Sequence, residues 1–476
     1  MRLRDLAQVV TAAPPARLAD GVDPEVVDVV HDSRDVRPGA LFCCVRGEHH
    51  DGHEFAPSAR AAGAVALLVD HVLDIDLPQI LVPDVRSAMA PIAAACFGDP
   101  SRSLTVVGVT GTNGKTTTAL MLAQVLIAAG RRVEVLGTLT GARTTPEATD
   151  LQRLLGRWRD DGVEVVVMEV SSHALALHRV DHTRFRVSIF TNLSRDHLDF
   201  HHSMEQYFEA KAALFTPALS DRAVVNLDSP HGRLLADTRA VPTSGYSLEE
   251  VSDLSTEVAG SSFRWRGHRV ELGLAGRFNV GNALAAAHAA LALGLDEATI
   301  ARGLSAPLIV PGRFERVTID ADFTVVVDFA HTPDGLENVL IAADQVVGDR
   351  GRVIVVFGCG GDRDRTKRAP MGAVAAERAD VVVLTADNSR SESTPAIIGE
   401  ILTGCDRAEP RRAAAVITEP DRREAIRRAL AEARAGDIVV IAGKGHESTL
   451  TIGDTVVPFD DRVVVEEVHN EMRAAS

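Results

Sequence analysis

The sequence predicts an α/β protein of three domains, and three observations carry that expectation. Short, near-continuous runs of β-branched residues alternate with helical stretches, as in parallel sheets covered on both faces. Breaker clusters at Gly98-Asp99-Pro100-Ser101 and Pro311-Gly312 divide the chain into blocks 1–100, 101–312 and 313–476. At 476 residues the chain is also too long for one hydrophobic core.

In the first block, Val26–Val30, Leu41–Val45, Ala64–Val69 and Ile80–Val82 read as strands and Ser87–Phe97 as a helix. The second block opens on the strand Leu104–Val109 and continues with Val163–Val167, Val187–Phe190 and Ala223–Asn226. Residues 241–275 alternate in polarity and predict a small antiparallel excursion before the Ala/Leu-rich helix Val280–Leu293. In the third block, Thr324–Asp328, Arg352–Phe357, Val381–Leu384, Ala413–Ile417 and Ile438–Ile441 alternate with helices, the rhythm of a doubly wound sheet.

A hydrophobic fraction of 46% with 24% charged residues is ordinary for a soluble globular protein. The net charge of −16 argues against nucleic acid as a partner, and it requires that any polyphosphate be met by local donors. Five cysteines (Cys43, Cys44, Cys96, Cys359, Cys405) show no metal-ligand spacing and suit reduced thiols in a cytoplasm. The first eight residues do not read as a signal peptide, and no apolar run is long enough for a membrane span.

Between the strand at 104–109 and a helix lies G-T-N-G-K-T-T-T, residues 111–118. Glycines let backbone N–H groups converge on phosphate oxygens, and the helix that follows presents its positive end. Gly111, Thr112, Asn113, Gly114, Lys115, Thr116 and Thr117 therefore form a candidate triphosphate loop. Lys115 is placed to reach the β- and γ-phosphates, and Thr116 to hold Mg²⁺. Strict spacing would put glycine at Val109; here Gly108 and Gly111 bracket it.

Glu169 follows a strand directly, where a carboxylate points into the ligand crevice of an α/β sheet. His173, His178, His197, His201 and His202 cluster in sequence after it, and Lys211 lies on an amphipathic helix at 207–215. By spacing alone, Lys211 is an ordinary helical lysine and each histidine a structural one.

M-E-V-S-S-H-A-L at 168–175, T-N-L-S-R-D-H-L-D-F-H at 191–201 and Y-F-E-A-K-A-A-L-F at 207–215 follow the loop in order. So do G-R-F-N-V-G-N-A-L-A-A at 276–286, G-R-F-E-R-V at 312–317, V-D-F-A-H-T-P-D at 327–334, F-G-C-G-G-D-R-D at 357–364 and G-K-G-H-E at 443–447. Together these motifs resemble the Mur ligases along the whole chain. The resemblance implies a small N-terminal UDP-sugar domain, a central P-loop ATPase domain with a parallel sheet, and a C-terminal Rossmann-like domain that brings the amino acid. It implies activation of a carboxylate as an acyl phosphate and amide formation in peptidoglycan precursor synthesis. The acceptor would be UDP-N-acetylmuramoyl-L-alanyl-D-glutamate, the donor meso-2,6-diaminopimelate, and the enzyme a cytoplasmic monomer.

Carried over by motif, Thr116, Glu169, His197 and Lys211 would serve two Mg²⁺ sites, Lys211 as the carbamate formed with CO₂. Lys115, Glu169, His197 and Lys211 are thus the expected catalytic set. Asn282 would contact adenine, Arg313 the phosphates and Asp328 the ribose, with His331 near the nucleotide. Ser33, Glu48, His49 and His50 match uridine positions; Thr144, Thr145, Ser171, Leu177 and Arg179 match positions around the muramoyl-dipeptide. Leu177 stands where some relatives carry glutamine.

The donor positions are Arg363, Asp387, Asn388, Ser389, Arg390, Gly443 and Glu447. Arg390 suits a second carboxylate, which diaminopimelate has and L-lysine lacks. Ser389 stands where the family carries proline, and predicts a freer backbone and a relaxed choice of donor. Other donors, including L-lysine, and another Mur-type or folylpolyglutamate-type ligase are the alternatives of the same class. A P-loop hydrolase or kinase with a dinucleotide domain would need glycine at Arg363 to complete G-x-G-x-x-G. A scaffold that only binds UDP-sugar is disfavoured by the intact Lys115, Glu169, His197 and Lys211.

Overall fold

The computed structural model describes residues 1–10, 17–19, 23–47, 50–141, 143–348 and 351–475. Three sheet units follow one another along the chain. The first has five strands in the order Arg17–Ala19, Gln79–Leu81, Ala66–Val69, Ala40–Cys43, Asp28–Val30, parallel except for the first. The helix Val85–Cys96 buries Ala88, Met89, Ile92 and Ala93 against one face of it.

The central sheet is fully parallel: Thr243–Tyr246, Ala223–Asn226, Val187–Phe190, Thr105–Thr110, Val165–Glu169, Val133–Leu136. Its central strands are buried along both faces, which is why they read as unbroken apolar runs. Helices Lys115–Ala128, Arg277–Ala292 and Glu297–Leu304 cover one face. Small residues bring them close: a Cβ on Gly303 would stand 2.7 Å from Val125 Cα. On the other face, the helix Ala148–Asp160 packs Leu151 and Leu155 beside Leu104, Val106 and Val166.

The last unit has the order Glu315–Val317, Thr324–Asp328, Ile438–Ala442, Val353–Phe357, Val381–Leu384, Ala415–Thr418, antiparallel only at its first pair. Each strand bears out a sequence-predicted run within a residue or two, apart from the short first one, which no apolar run announced.

One expectation needs correction. Thr243–Tyr246 belongs to the parallel central sheet, and the antiparallel excursion is confined to Val251–Glu257, Gly260–Trp265 and His268–Leu272. An edge strand has only one neighbour, so its Thr, Ser and Gly disguised it as part of the polar excursion. Val133–Leu136 escaped notice at the opposite edge for the same reason, and the hairpin Thr449–Ile452/Thr455–Pro458 was also unforeseen. No helix among the described residues is long and apolar enough to cross a membrane.

Candidate active site

Strand Thr105–Thr110 delivers the loop at 111–114, and helix Lys115–Ala128 departs from it. Two positions demand glycine. Gly111 has φ +150°, and a Cβ there would lie 1.9 Å from Thr191 Oγ1; Gly114 has φ +85°, and its Cβ would lie 2.3 Å from Asn282 Oδ1. Lys115 folds back over the loop, Nζ donating to Gly111 O at 2.9 Å and to Thr112 O at 2.8 Å. Burial lowers its pKa. The loop is braced from the next strand end: Asn192 accepts from Thr112 N at its carbonyl and from Asn113 N at Oδ1, both at 2.9 Å.

Glu169 ends its strand and faces the first turn of the loop helix. Thr116 Oγ1 donates to its Oε1 at 2.9 Å. Thr138 donates twice, from N to Oε1 at 2.9 Å and from Oγ1 to Oε2 at 3.2 Å. Thr138 was not singled out from the sequence, because it lies in a loop outside every motif. Thr117 is buried in the same first turn.

Lys211 is not the surface residue that spacing alone suggested. It is 1% exposed, its Nζ donates to Gly111 O at 3.0 Å and stands 4.5 Å over the Tyr207 ring. Burial, reinforced by neighbouring Lys115, holds its pKa well below the lysine range. The histidines gather beside it: His197 lies edge-on to His173 at 4.8 Å between ring centroids, and His201 meets Ser172 Oγ at 2.9 Å. Burial pushes His197 down to about 3, against the opposing pull of Asp196, and His201 down to about 4.

These two imidazoles stay neutral in the fold far below the ordinary 6.5 at which the unfolded chain takes up protons. Stability from them is therefore complete above pH 6.5 and is lost as pH falls toward the folded values. Urea unfolding of the metal-free protein between about pH 6.5 and pH 4 should show a shallower loss in His197→Gln than in wild type. An identical slope would refute the neutral imidazole.

The third domain reaches across to the loop. Asp334 Oδ2 accepts from Asn113 Nδ2 at 2.7 Å, and Arg313 Nη2 lies 3.4 Å from Thr116 Oγ1 with its guanidinium 4.4 Å over the Phe329 ring. His331 Nε2 faces Asp196 Oδ2 at 3.7 Å. Asp328 is buried, and its two oxygens accept from Phe314 N at 2.6 Å and Ala330 N at 2.7 Å. Asn282 lies against Gly114 and accepts from Thr118 Oγ1 at 3.4 Å.

The candidate sugar-dipeptide residues divide. Thr145 Oγ1 donates to Glu169 O at 2.9 Å, Ser171 N donates to Thr145 Oγ1 at 3.1 Å, and Thr144 meets Thr138 at 3.1 Å, so these three line the Glu169 strand end. Arg179 joins them through Thr145 O at 3.2 Å and pairs with Glu147 at 2.8 Å, a carboxylate that Arg86 also meets from the first domain at 3.2 Å. Leu177 is half-buried one turn further on. Ser33 is half-buried and His50 exposed in the first domain; Glu48 and His49 lie outside the described residues.

In that first domain, His53, Asp70 and His71 form a cluster of possible metal ligands. Arg46 Nε already meets Asp70 Oδ2 at 2.9 Å, and Asp51 meets His53 Nδ1 at 2.6 Å, so the group is a satisfied charge network.

The candidate donor residues converge at the strand ends of the third sheet. Asn388 Nδ2 donates to Glu447 Oε2 at 2.8 Å, and Asn388 Oδ1 accepts from Thr451 N at 2.9 Å. Lys444, fully buried, reaches Glu447 Oε2 at 3.1 Å. Arg390 Nη1 donates to Gly361 O at 2.8 Å, and Arg363 is exposed with no ionic partner among the described residues. Asp387 Oδ1 accepts from Asn388 N at 2.5 Å, and a Cβ on Gly443 would stand 2.9 Å from Asp387 Oδ2.

Ser389 departs from the expected looseness. It is fully buried, with Oγ 2.7 Å from Thr394 Oγ1 and donating to Asp387 O at 3.2 Å. Two hydrogen bonds hold its side chain in place.

A Gly-rich loop at a strand end of the central sheet, met from the third unit by Asp334 and Arg313, with Arg86 of the first unit paired to Glu147 nearby, defines a three-domain nucleotide-binding protein. Comparison with known proteins agrees. The Mur ligase middle domain matches residues 109–290, the Mur ligase glutamate ligase domain 312–445, and the Mur ligase family catalytic domain 25–96. The chain belongs to the Mur ligase family.

Among curated relatives, the UDP-N-acetylmuramoyl-L-alanyl-D-glutamate–2,6-diaminopimelate ligase of Syntrophomonas wolfei is 44% identical, covering 95% of this chain and 96% of the relative. The ligase of the same name from Gloeobacter violaceus is 46% identical, with 95% of each covered. A solved structure of a ligase of that name is 34% identical and aligns over 94% of this chain and 95% of its own, at TM-score 0.65. The MurF ligase of Thermotoga maritima in complex with ADP shares the fold at TM-score 0.67 and 20% identity, over 94% of this chain and 98% of its own.

Proposed function

We propose that the protein adds meso-2,6-diaminopimelate to the D-glutamate of UDP-N-acetylmuramoyl-L-alanyl-D-glutamate in the cytoplasm, with ATP as co-substrate. The names of the curated relatives support the reaction. The observation that carries it is the meeting of three groups at one loop: Lys115 and Lys211 both bond Gly111 O, and Thr116 bonds Glu169 beside them. The domain division 1–100, 101–312 and 313–476 gives each ligand one sheet unit.

The residues present fit a magnesium site. Thr116 Oγ1 and a Glu169 oxygen lie 2.9 Å apart at the helix N-terminus, hard oxygen donors of the kind Mg²⁺ takes. Bound there with ATP, Mg²⁺ would neutralise phosphate charge. His197, neutral at working pH, has a lone pair to offer a second ion. Lys211 fits carbamylation because its depressed pKa leaves a free amine. That amine adds to CO₂ and releases one proton, which would place an anionic carbamate beside Lys115 and the loop carbonyl of Gly111.

Lys115 and the loop N–H groups hold the β- and γ-phosphates, with Arg313 reaching over from the third domain. The γ-phosphoryl passes to the D-glutamate carboxylate, which is held by Thr144, Thr145, Ser171 and Arg179. A carboxylate is a poor electrophile, and phosphorylation supplies its leaving group. The donor amine, oriented by Asn388, Arg390 and Glu447, attacks the acyl carbon as the free base; the C–N bond forms as the C–O bond to phosphate breaks, and the nitrogen's proton leaves with the phosphate or to solvent. Catalysis is chiefly alignment and charge neutralisation.

Phosphate release should require UDP-muramoyl-dipeptide, ATP and diaminopimelate together. Equal turnover with L-lysine would overturn the donor and leave the family intact. Thr138→Val should weaken the apparent Mg²⁺ affinity roughly fivefold, since one hydrogen bond to the Glu169 carboxylate contributes about 1 kcal/mol. A magnesium titration of phosphate release that coincides with wild type would remove Thr138 from this role.

A further inference from the structure

Beneath the donor loops lies a buried ion pair that no motif announced. Arg422 opens the helix Arg422–Glu432 and is 0% exposed at its side chain, as is Asp461, the first residue of the C-terminal helix Asp461–Ala475. The two meet as a fork, Nε to Oδ1 at 2.8 Å and Nη2 to Oδ2 at 2.7 Å. Two further bonds go to backbone carbonyls: Nη1 to Ala386 O and Nη2 to Ala442 O, each at 3.0 Å.

Those carbonyls are not arbitrary. Ala386 immediately precedes Asp387-Asn388-Ser389-Arg390, and Ala442 ends its strand just before Gly443–Glu447. One guanidinium thus ties the roots of both donor loops to each other and to the last helix. Asn388 Nδ2 then meets Glu447 Oε2 at 2.8 Å across the gap between the loops. A planar fork with five N–H donors can hold a carboxylate and two carbonyls at fixed angles, whereas an ammonium cannot.

We infer that Arg422, locked by Asp461, is the positioning residue of the amino-acid subsite, setting the spacing between the Asp387–Arg390 and Gly443–Glu447 loops and so the affinity for the donor. A buried ion pair is by itself weak evidence for a role in stability, since apolar replacements of similar volume are often tolerated. The geometry assigns this one to alignment. The inference rests on the donor subsite of the proposed function.

The test uses full-length Arg422→Lys, which keeps a cation against Asp461, and Arg422→Met paired with Asp461→Leu, which removes both charges. Thermal unfolding establishes that each is folded. Initial ligation rates are then measured with one substrate varied at a time. The expected result in both is a donor KM raised about tenfold or more, with the ATP and UDP-muramoyl-dipeptide KM values within about twofold of wild type. The Lys variant should retain more donor affinity than the apolar pair.

A donor KM equal to wild type in either folded variant overturns the inference. So does a parallel rise in all three KM values, which marks a general structural role. Should wild type prefer another amino acid, the diaminopimelate assignment falls, and the KM shift measured with that amino acid still decides the role of Arg422.

Discussion

Lys211→Ala should reduce ligation by about 10²–10³-fold or more, the scale seen when one preorganised charge-stabilising group is removed from a water-excluded site. The side chain is 1% exposed, bonds the loop at Gly111 O and lies within electrostatic reach of Lys115, so its loss removes a group from the proposed reacting centre. Two buried lysines side by side repel as cations. The neutral form of Lys211 that this favours is the form that adds CO₂. Isotope-labelled bicarbonate should therefore give a carbamate carbon signal in wild type and none in Lys211→Ala, and a small added carboxylate should restore part of the rate. Wild-type activity in the alanine variant would take the lysine out of the metal site.

Arg390→Met should cut the preference for diaminopimelate over L-lysine by roughly 10–100-fold, because a charge-assisted hydrogen bond to the second carboxylate contributes about 1.5–3 kcal/mol. The side chain is half-buried and tied at Nη1 to Gly361 O at 2.8 Å, which leaves the rest of the guanidinium for a ligand. The check is the ratio of kcat/KM for the two amino acids in wild type and variant. A ratio that does not move would assign donor choice elsewhere in the pocket, with exposed Arg363 as the next group to remove.

Much of the fold was legible because parallel strands buried on both faces must be apolar throughout, and Val187–Phe190 or Val381–Leu384 leave little else to be. Edge strands escaped because one-sided pairing relaxes that demand, as at Thr243–Tyr246 and Val133–Leu136. In the site, the loop glycines were legible from spacing, and their contacts with Thr191 and Asn282 supply the reason. Lys211 was legible only through its motif; spacing suggested a surface residue, and only packing against Tyr207 and Gly111 buries it.

The sequence by itself determined three sheet units, a phosphate loop, and the family, because these depend on local periodicity, on residues that must be glycine and on ordered motifs. Tertiary structure alone decided which groups meet across the chain: Thr138 on Glu169, Asp334 on Asn113, Arg422 on Ala386 O and Ala442 O at the roots of the 387–390 and 443–447 loops. It also showed that Ser389, expected to loosen its loop, is held by Thr394 and Asp387. The physical reason is common to all of them. A hydrogen bond between residues dozens or hundreds of positions apart leaves no local pattern, since its partner is chosen by how the sheets pack.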